Sequence, residues 1–434
     1  VCYNQVCFFK GDAMKRLHIL IFSLLLLALT LVCGAEEQQY IVYLHEDAPV
    51  LYATEDGMPS FIVADADTLK ALQDEDAVLW YEEDAEVFLL GSGYSDPGYA
   101  MKWDLAMIDA QSAWNAGYMG DGIIVGVIDS GVQPDHPDLA ENLLPAACFL
   151  EGADASTDTV GHGTFVTGMI AAGINGIGTI GVAPKAKIQP LKCFEANVKT
   201  TVSMMVPAIY DAVDKYGCQV LNMSLGTTSD SQTLKNAVAY ALGKGCIVVA
   251  SVGNDGTDEL SYPAAYPGVI GVGAVNGLKK VSSFSQKNAS VKLVAPGEQV
   301  LSTFTGSSYG TWDGTSFSTP LVSGAAALLL SADVSLNPEQ MYDLLTRTAV
   351  RLGEDAYSTS YGYGLLHIGR ALRSLAGMPG DLDRDGDITA RDALLLLHAV
   401  LNAAGTPEMS LADMNGDGAL SLADVLLLLR AATA

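Results

Sequence analysis

Asp129, His162 and Ser316 stand out in this chain because each sits in a short turn of small residues. The turns are Val127-Ile128-Asp129-Ser130-Gly131, Gly161-His162-Gly163-Thr164 and Gly314-Thr315-Ser316-Phe317-Ser318-Thr319-Pro320. A serine hydroxyl is a poor nucleophile until an imidazole takes its proton. The imidazole in turn needs a carboxylate to fix its tautomer and stabilise its charge. Taken singly, Asp129 reads as a turn residue, His162 as a cap and Ser316 as an N-cap. Taken together, they are the parts of an acyl-transfer site.

A second chemistry lies near the C-terminus. The run Asp381-Leu382-Asp383-Arg384-Asp385-Gly386-Asp387-Ile388-Thr389-Ala390-Arg391-Asp392 returns 32 residues later as Asp413-Met414-Asn415-Gly416-Asp417-Gly418-Ala419-Leu420-Ser421-Leu422-Ala423-Asp424. In each copy, side-chain oxygens at loop positions 1, 3, 5, 9 and 12, with a backbone carbonyl at 7, suit Ca²⁺, and Gly at 6 allows the sharp turn. The candidate ligands are Asp381, Asp383, Asp385, Asp387 (carbonyl), Thr389 and Asp392, then Asp413, Asn415, Asp417, Ala419 (carbonyl), Ser421 and Asp424. A solvated acidic tail would not explain Gly386 and Gly418, nor Ile388 and Leu420 at position 8.

These residues need a scaffold. The runs Ile123 to Ile128, Lys187 to Cys193, Gln219 to Met223 and Ile247 to Ser251 are continuous and apolar, as buried parallel strands are. Val166 to Ala172, Val202 to Tyr216, Gln232 to Gly243 and Gly324 to Leu330 read as helices between or after them. The alternation predicts an α/β fold, a parallel sheet with helices on both faces, over residues 91–375. Residues 36–90 are a different unit. Across residues 36–100 there are sixteen Asp or Glu against the single Lys70. Tyr40 to Leu44, Ser60 to Val63 and Ala77 to Asp84 read as strands and Asp67 to Leu72 as a short helix, a small α+β domain. After a small-residue linker, 376–380, each acidic loop of residues 381–434 leads into an apolar helix, Ala393 to Leu401 and Val425 to Ala431.

The formal net charge of −27 argues against nucleic acid and against an anionic membrane surface as partners. Met14-Lys15-Arg16, the apolar run Ile19 to Val32 and Cys33-Gly34-Ala35 read as a secretory signal over residues 14–35, with a membrane anchor as the alternative. Residues 1–13 precede this natural start and read as an upstream extension. Cys148, Cys193, Cys218 and Cys246 show no dense spacing, so no disulfide framework is expected. The last three read as small buried hydrophobes, with a Cys218–Cys246 bridge as the alternative.

The order Asp, His, Ser is that of subtilisin, and residues 91–375 resemble a subtilisin-type serine peptidase. The resemblance implies that Ser316 is the nucleophile, His162 the general base and Asp129 its orienter. Ser251-Val252-Gly253-Asn254-Asp255-Gly256 is similar to the family segment holding the oxyanion-hole Asn, which makes Asn254 a donor to the developing oxyanion. Asn222-Met223-Ser224-Leu225-Gly226 resembles the strand lining the pocket for the residue before the scissile bond (P1). Ser251, Val252 and Gly253 would form the opposite wall, and Ser261 the floor. With no acid there, an apolar P1 is expected. Phe165, Phe317 and Ser318 depart from the family pattern around the site.

The acidic unit 36–90 resembles that family's inhibitor-like propeptide. This implies a zymogen cut near Leu90, or later, before Tyr94 to Tyr99. Asp138 and Asn175 match positions that bind Ca²⁺ in relatives, with Asp96 as a further contributor from the mature N-terminus; Asp138 as a plain turn or cap residue is the alternative. Residues 381–434 resemble a type I dockerin, which implies a cohesin partner on a scaffolding protein. Loop positions 10 and 11, Ala390-Arg391 and Leu422-Ala423, differ from the frequent Ser-Thr, which leaves the cohesin type open. An inert, scaffold-bound peptidase domain is the competing expectation.

Overall fold

The computed structural model describes residues 39–44, 61–74, 78–83, 94–198, 200–402, 407–416 and 418–433, in two bodies. The expected leader over residues 14–35, residues 1–13, the expected cleavage region around Leu90, and Asp417 lie outside the described residues.

The first body is a three-stranded antiparallel sheet of order β2-β1-β3, with β1 Gln39–Leu44, β2 Phe61–Asp65 and β3 Val78–Glu83. Helix α1, Ala66–Asp74, follows β2. Asp65 Oδ1 accepts from Thr68 N at 2.7 Å and so starts this helix. Val42, Ala64 and Leu69 are its buried core.

The second body is built on a seven-stranded sheet of order β10-β9-β8-β7-β4-β6-β5. Its strands are β4 Ile124–Asp129, β5 Ala147–Cys148, β6 Lys187–Lys192, β7 Val220–Met223, β8 Ile247–Ser251, β9 Ile270–Val275 and β10 Leu293–Pro296. Every pairing in it is parallel, and the central strands are buried along almost their whole length. A strand covered on both faces has no polar side, which is why these segments read as unbroken apolar runs. Helices α2 His162–Ala171, α3 Val202–Asp214 and α4 Gln232–Gly243 alternate with the strands. A hairpin, β11 Val300–Phe304 and β12 Ser308–Trp312, leads into α5, Thr315–Ala332. Helix α5 is apolar enough to cross a membrane by composition, but it is 83% buried and forms the middle of one core.

Two sequence expectations shift at their edges. The helix expected from Val166 begins at His162, so the imidazole is on its first turn. The helix expected from Gly324 begins at Thr315, with Pro320 inside it. Among the described residues Cys148, Cys193, Cys218 and Cys246 are free, and the last three are buried.

Helices α6 Pro338–Arg347 and α7 Ile368–Ala376 close this part of the chain. Helices α8 Ala390–Asn402, α9 Met409–Ala412 and α10 Leu422–Ala431 follow, around the small core of Ala393, Leu396, Ala412, Val425 and Leu428.

Candidate active site and metal loops

Strand order reverses at β4. The chain goes from β4 to β5 and β6 on one side, then returns to β7 on the other. Crevices at such a reversal, outside the C-terminal ends of the strands, are where open α/β sheets bind ligands. Asp129 ends β4, Met223 ends β7 and Ser251 ends β8, so the candidate residues gather at that edge.

Asp129 is 4% exposed, and its two oxygens lie 2.8 and 2.9 Å from His162 Nδ1. Gly161, at φ +86°, turns the chain into α2 so that His162 starts the helix. The next glycine, Gly163, packs so tightly on the Asp129 turn that an added Cβ would sit 3.1 Å from Asp129 Cβ. Burial depresses the His162 pKa. The charge of Asp129, its hydrogen bond and the charge of Asp158 outweigh burial, and the net shift is upward.

Asp158 escaped the sequence reading. Its Oδ1 accepts from Ser130 Oγ (2.9 Å), Gly161 N (2.8 Å) and Val160 N (3.1 Å), and its Oδ2 from Thr164 N (2.9 Å) and Thr164 Oγ1 (2.6 Å). One carboxylate thus caps α2 from outside and ties it to the residue after Asp129. Lys192 holds the same loop. Its buried Nζ donates to Thr157 O at 2.8 Å and pairs with Glu195 at 2.6 Å.

Ser316 lies in the first turn of α5, where backbone N–H groups have no intrahelical acceptor and can meet an anion. Four residues on, Pro320 has no N–H to give to the Ser316 carbonyl. Ser224 Oγ donates to that carbonyl instead, at 2.7 Å. Ser316 Oγ donates back to Ser224 O at 3.3 Å. Asn222 Nδ2 donates to Ser224 Oγ (3.0 Å), and Ser323 Oγ to Asn222 Oδ1 (2.9 Å), so β7 and α5 are laced together. Asn254 Oδ1 accepts from both Thr315 N and Thr315 Oγ1, each at 2.8 Å. With its oxygen taken, its exposed amide is left to donate.

Of the expected pocket residues, Ser224, Ser251 and Ser261 are buried, and Ser251 Oγ donates to Leu225 O at 3.5 Å. Gly226 backs onto Ser261 Oγ with no space for a Cβ. Gly253 is half-buried at φ +109°. Val252 is fully buried in the second core, so only its backbone can face a substrate. Phe165 and Phe317, the departures from the family pattern, pack together (centroids 4.6 Å) with Trp312, which stacks on Phe317 at 5.3 Å. Phe317 lies 5.4 Å from the His162 ring. Ser318 donates to the Ala295 and Pro296 carbonyls.

The acidic loops repeat each other closely. Asp392 accepts from Leu382 N (2.8 Å), Asp383 N (3.2 Å) and Thr389 N (2.8 Å). Asp424 does the same with Met414 N (3.0 Å), Asn415 N (3.3 Å) and Ser421 N (2.9 Å). Asp381 takes Gly386 N (2.9 Å) and Asp413 takes Gly418 N (2.7 Å), at the turn glycines. Asp381, Asp383 and Asp385 can bring oxygens within 4.8 Å of one another. Burial, then the neighbouring carboxylates, push Asp381 and Asp383 upward. Such a cluster of hard oxygens fits a hard cation.

The peptidase candidate is smaller. Asp96 Oδ1 accepts from Asn175 N (3.0 Å) and Asp138 Oδ2 from Thr179 N (2.8 Å). Asp96 Oδ2 and Asp138 Oδ1 are buried without a hydrogen-bond partner, and burial raises the Asp138 pKa. These oxygens also fit a cation.

The fold and the site define a serine endopeptidase carrying a small domain of two acidic loops. Residues 120–364 match the subtilase family, and the chain belongs to that family. Residues 379–431 match the type I dockerin domain. The chain is similar to an alkaline protease of Shouchella clausii (37% identity over 342 residues, 79% of this chain and 84% of that protein). It is also similar to subtilisin Savinase of Lederbergia lenta (40% over 274 residues, 63% and 99%). Among solved structures it resembles a protease from Pseudoalteromonas arctica PAMC 21717, with a TM-score of 0.60 and 28% identity over 65% of this chain and 99% of that one.

Proposed function

We propose that this subtilase is a secreted endopeptidase, made as a zymogen and tethered through its dockerin to a cohesin-bearing scaffold. Ser316 attacks the scissile carbonyl, His162 takes its proton and returns it to the leaving amine, and Asp129 holds the imidazole. Asn254 Nδ2 and the Ser316 backbone N–H receive the oxyanion. The peptide binds as an added strand beside Ser224-Leu225-Gly226 and Ser251-Val252-Gly253, with an apolar P1 side chain directed toward Ser261. Calcium is held by the two dockerin loops and by Asp96, Asp138 and Asn175.

The observation that carries the reading is the bond from His162 Nδ1 to both Asp129 oxygens at the strand-order reversal. The acidic unit 36–90 serves as propeptide, cut near Leu90, which puts apolar Leu89 and Val87 at the cleavage site. Casein hydrolysis by the calcium-loaded full chain, lost on Ser316→Ala, tests the peptidase. Hydrolysis unchanged by that substitution contradicts it. A peptide library tests the pocket, with Arg or Lys at P1 the adverse result. Pull-down by cohesin domains of different types, abolished by chelation, tests the tether.

A further inference from the structure

Asp387 is the seventh residue of the first calcium loop, the position whose ligand is a backbone carbonyl. Its side chain is therefore not needed by the cation. It pairs with two arginines of the peptidase's last helix, α7, namely Arg370 and Arg373, the latter at 3.0 Å. Arg373 Nε also donates to Gly386 O at 2.8 Å. Ser374 Oγ (2.7 Å) and Arg347 Nε from α6 (2.9 Å) both donate to Arg384 O. Gly386, at φ +85°, lies against the Arg370 backbone with no space for a Cβ.

The second loop is built otherwise. Gly418, the counterpart of Gly386, faces open space, and Ala419, the counterpart of Asp387, carries no charge. The two repeats therefore share their inward-facing carboxylate bonds and differ in what their outer sides meet.

We infer that the outer side of the first calcium loop is a docking surface whose occupant is the chain's own peptidase domain, α6 and α7. This rests on the calcium-loop reading above. The carbonyls of Arg384 and Gly386 and the Asp387 carboxylate can hold α7 only when the loop has its turned form. The clustered carboxylates of that form repel one another until a cation neutralises them. Cation loading of the loop therefore stiffens α7, because a ligand that binds the folded loop stabilises everything folded with it.

The test uses the full chain carrying Ser316→Ala, to prevent self-digestion. Hydrogen exchange of residues 368–376 is followed with and without Ca²⁺, beside a calorimetric Ca²⁺ titration. Calcium is expected to slow α7 exchange by about tenfold or more. Asp387→Ala, and separately the pair Arg370→Gln with Arg373→Gln, should keep both dockerin calcium sites yet lose that slowing. Indifference of α7 to bound calcium, or full slowing in both variants, overturns the inference alone. Loss of a calcium site in Asp387→Ala overturns it too, since the side chain would then be a ligand. If no calcium binds at all, the calcium-loop reading itself fails and the inference with it.

Discussion

Ser316 Oγ rests on the carbonyl of Ser224, while Ser224 Oγ rests on the carbonyl of Ser316. The reciprocal pair joins the end of β7 to the start of α5. It exists because Pro320 leaves the Ser316 carbonyl unclaimed within the helix. The Ser316 hydroxyl is therefore held on the backbone that follows β7; in the proposed mechanism it must leave that carbonyl to give its proton to His162. Such bonds often tighten only when substrate arrives.

Ser224→Ala leaves the Asn222 amide short of an acceptor and the Ser316 carbonyl short of a donor. The expected loss of stability is about 1–3 kcal/mol, read as a lower denaturation midpoint. kcat should also fall, because the nucleophile's turn loses its brace. A variant as stable and as active as the parent would show that this lacing is incidental.

Removing the Asn254 amide should cut kcat about 100- to 1,000-fold and leave KM nearly unchanged. Asn254→Leu, assayed by steady-state kinetics on a chromogenic peptide, checks this. A change confined to KM would assign the amide to ground-state binding.

The net upward shift of the His162 pKa, set by Asp129 and Asp158 against burial, fixes the direction of the pH dependence. The base must be neutral, so kcat/KM should rise with pH through an apparent pKa above the ordinary value of about 6.5. The protonated form's contribution to stability is fully present below that ordinary value and is lost as pH rises through the folded one. Asp158→Asn removes one of the charges holding the pKa up, so the acid limb of activity should move to lower pH. An unmoved limb would leave Asp158 a purely mechanical cap.

Lys102 and Asp104 form a fully buried ion pair at 2.8 Å, and Lys102 Nζ also donates to Leu301 O. The Asp104 oxygens accept no other hydrogen bond. Lys102→Met strands a buried carboxylate and should cost about 3–5 kcal/mol, measured by denaturant unfolding of the Ser316→Ala chain.

What the sequence made legible were features with local grammar. Gly161 and Gly131 stand beside the candidate triad residues in turns of positive φ, and the twice-repeated aspartates have the spacing of an oxygen cage for a cation. The parallel strands announced themselves as apolar runs. Less legible were partners set by the fold. Asp158 is one acid among several in a polar loop. Lys192 and Lys102 are buried, and nothing in the neighbouring residues announces the partners that hold them. Pro320 masked the first half of α5, since proline inside a helix is ordinarily a break. Asp387 read as a loop ligand, and nothing local says that its side chain faces arginines of another domain.

The most direct test of the account is the fate of a chain expressed from Glu36 and refolded with calcium, followed by intact mass and N-terminal sequencing beside its Ser316→Ala twin. Only the chain with Ser316 is expected to shed an acidic fragment ending near Leu90. If both chains fold and both stay whole, self-processing through Ser316 is contradicted.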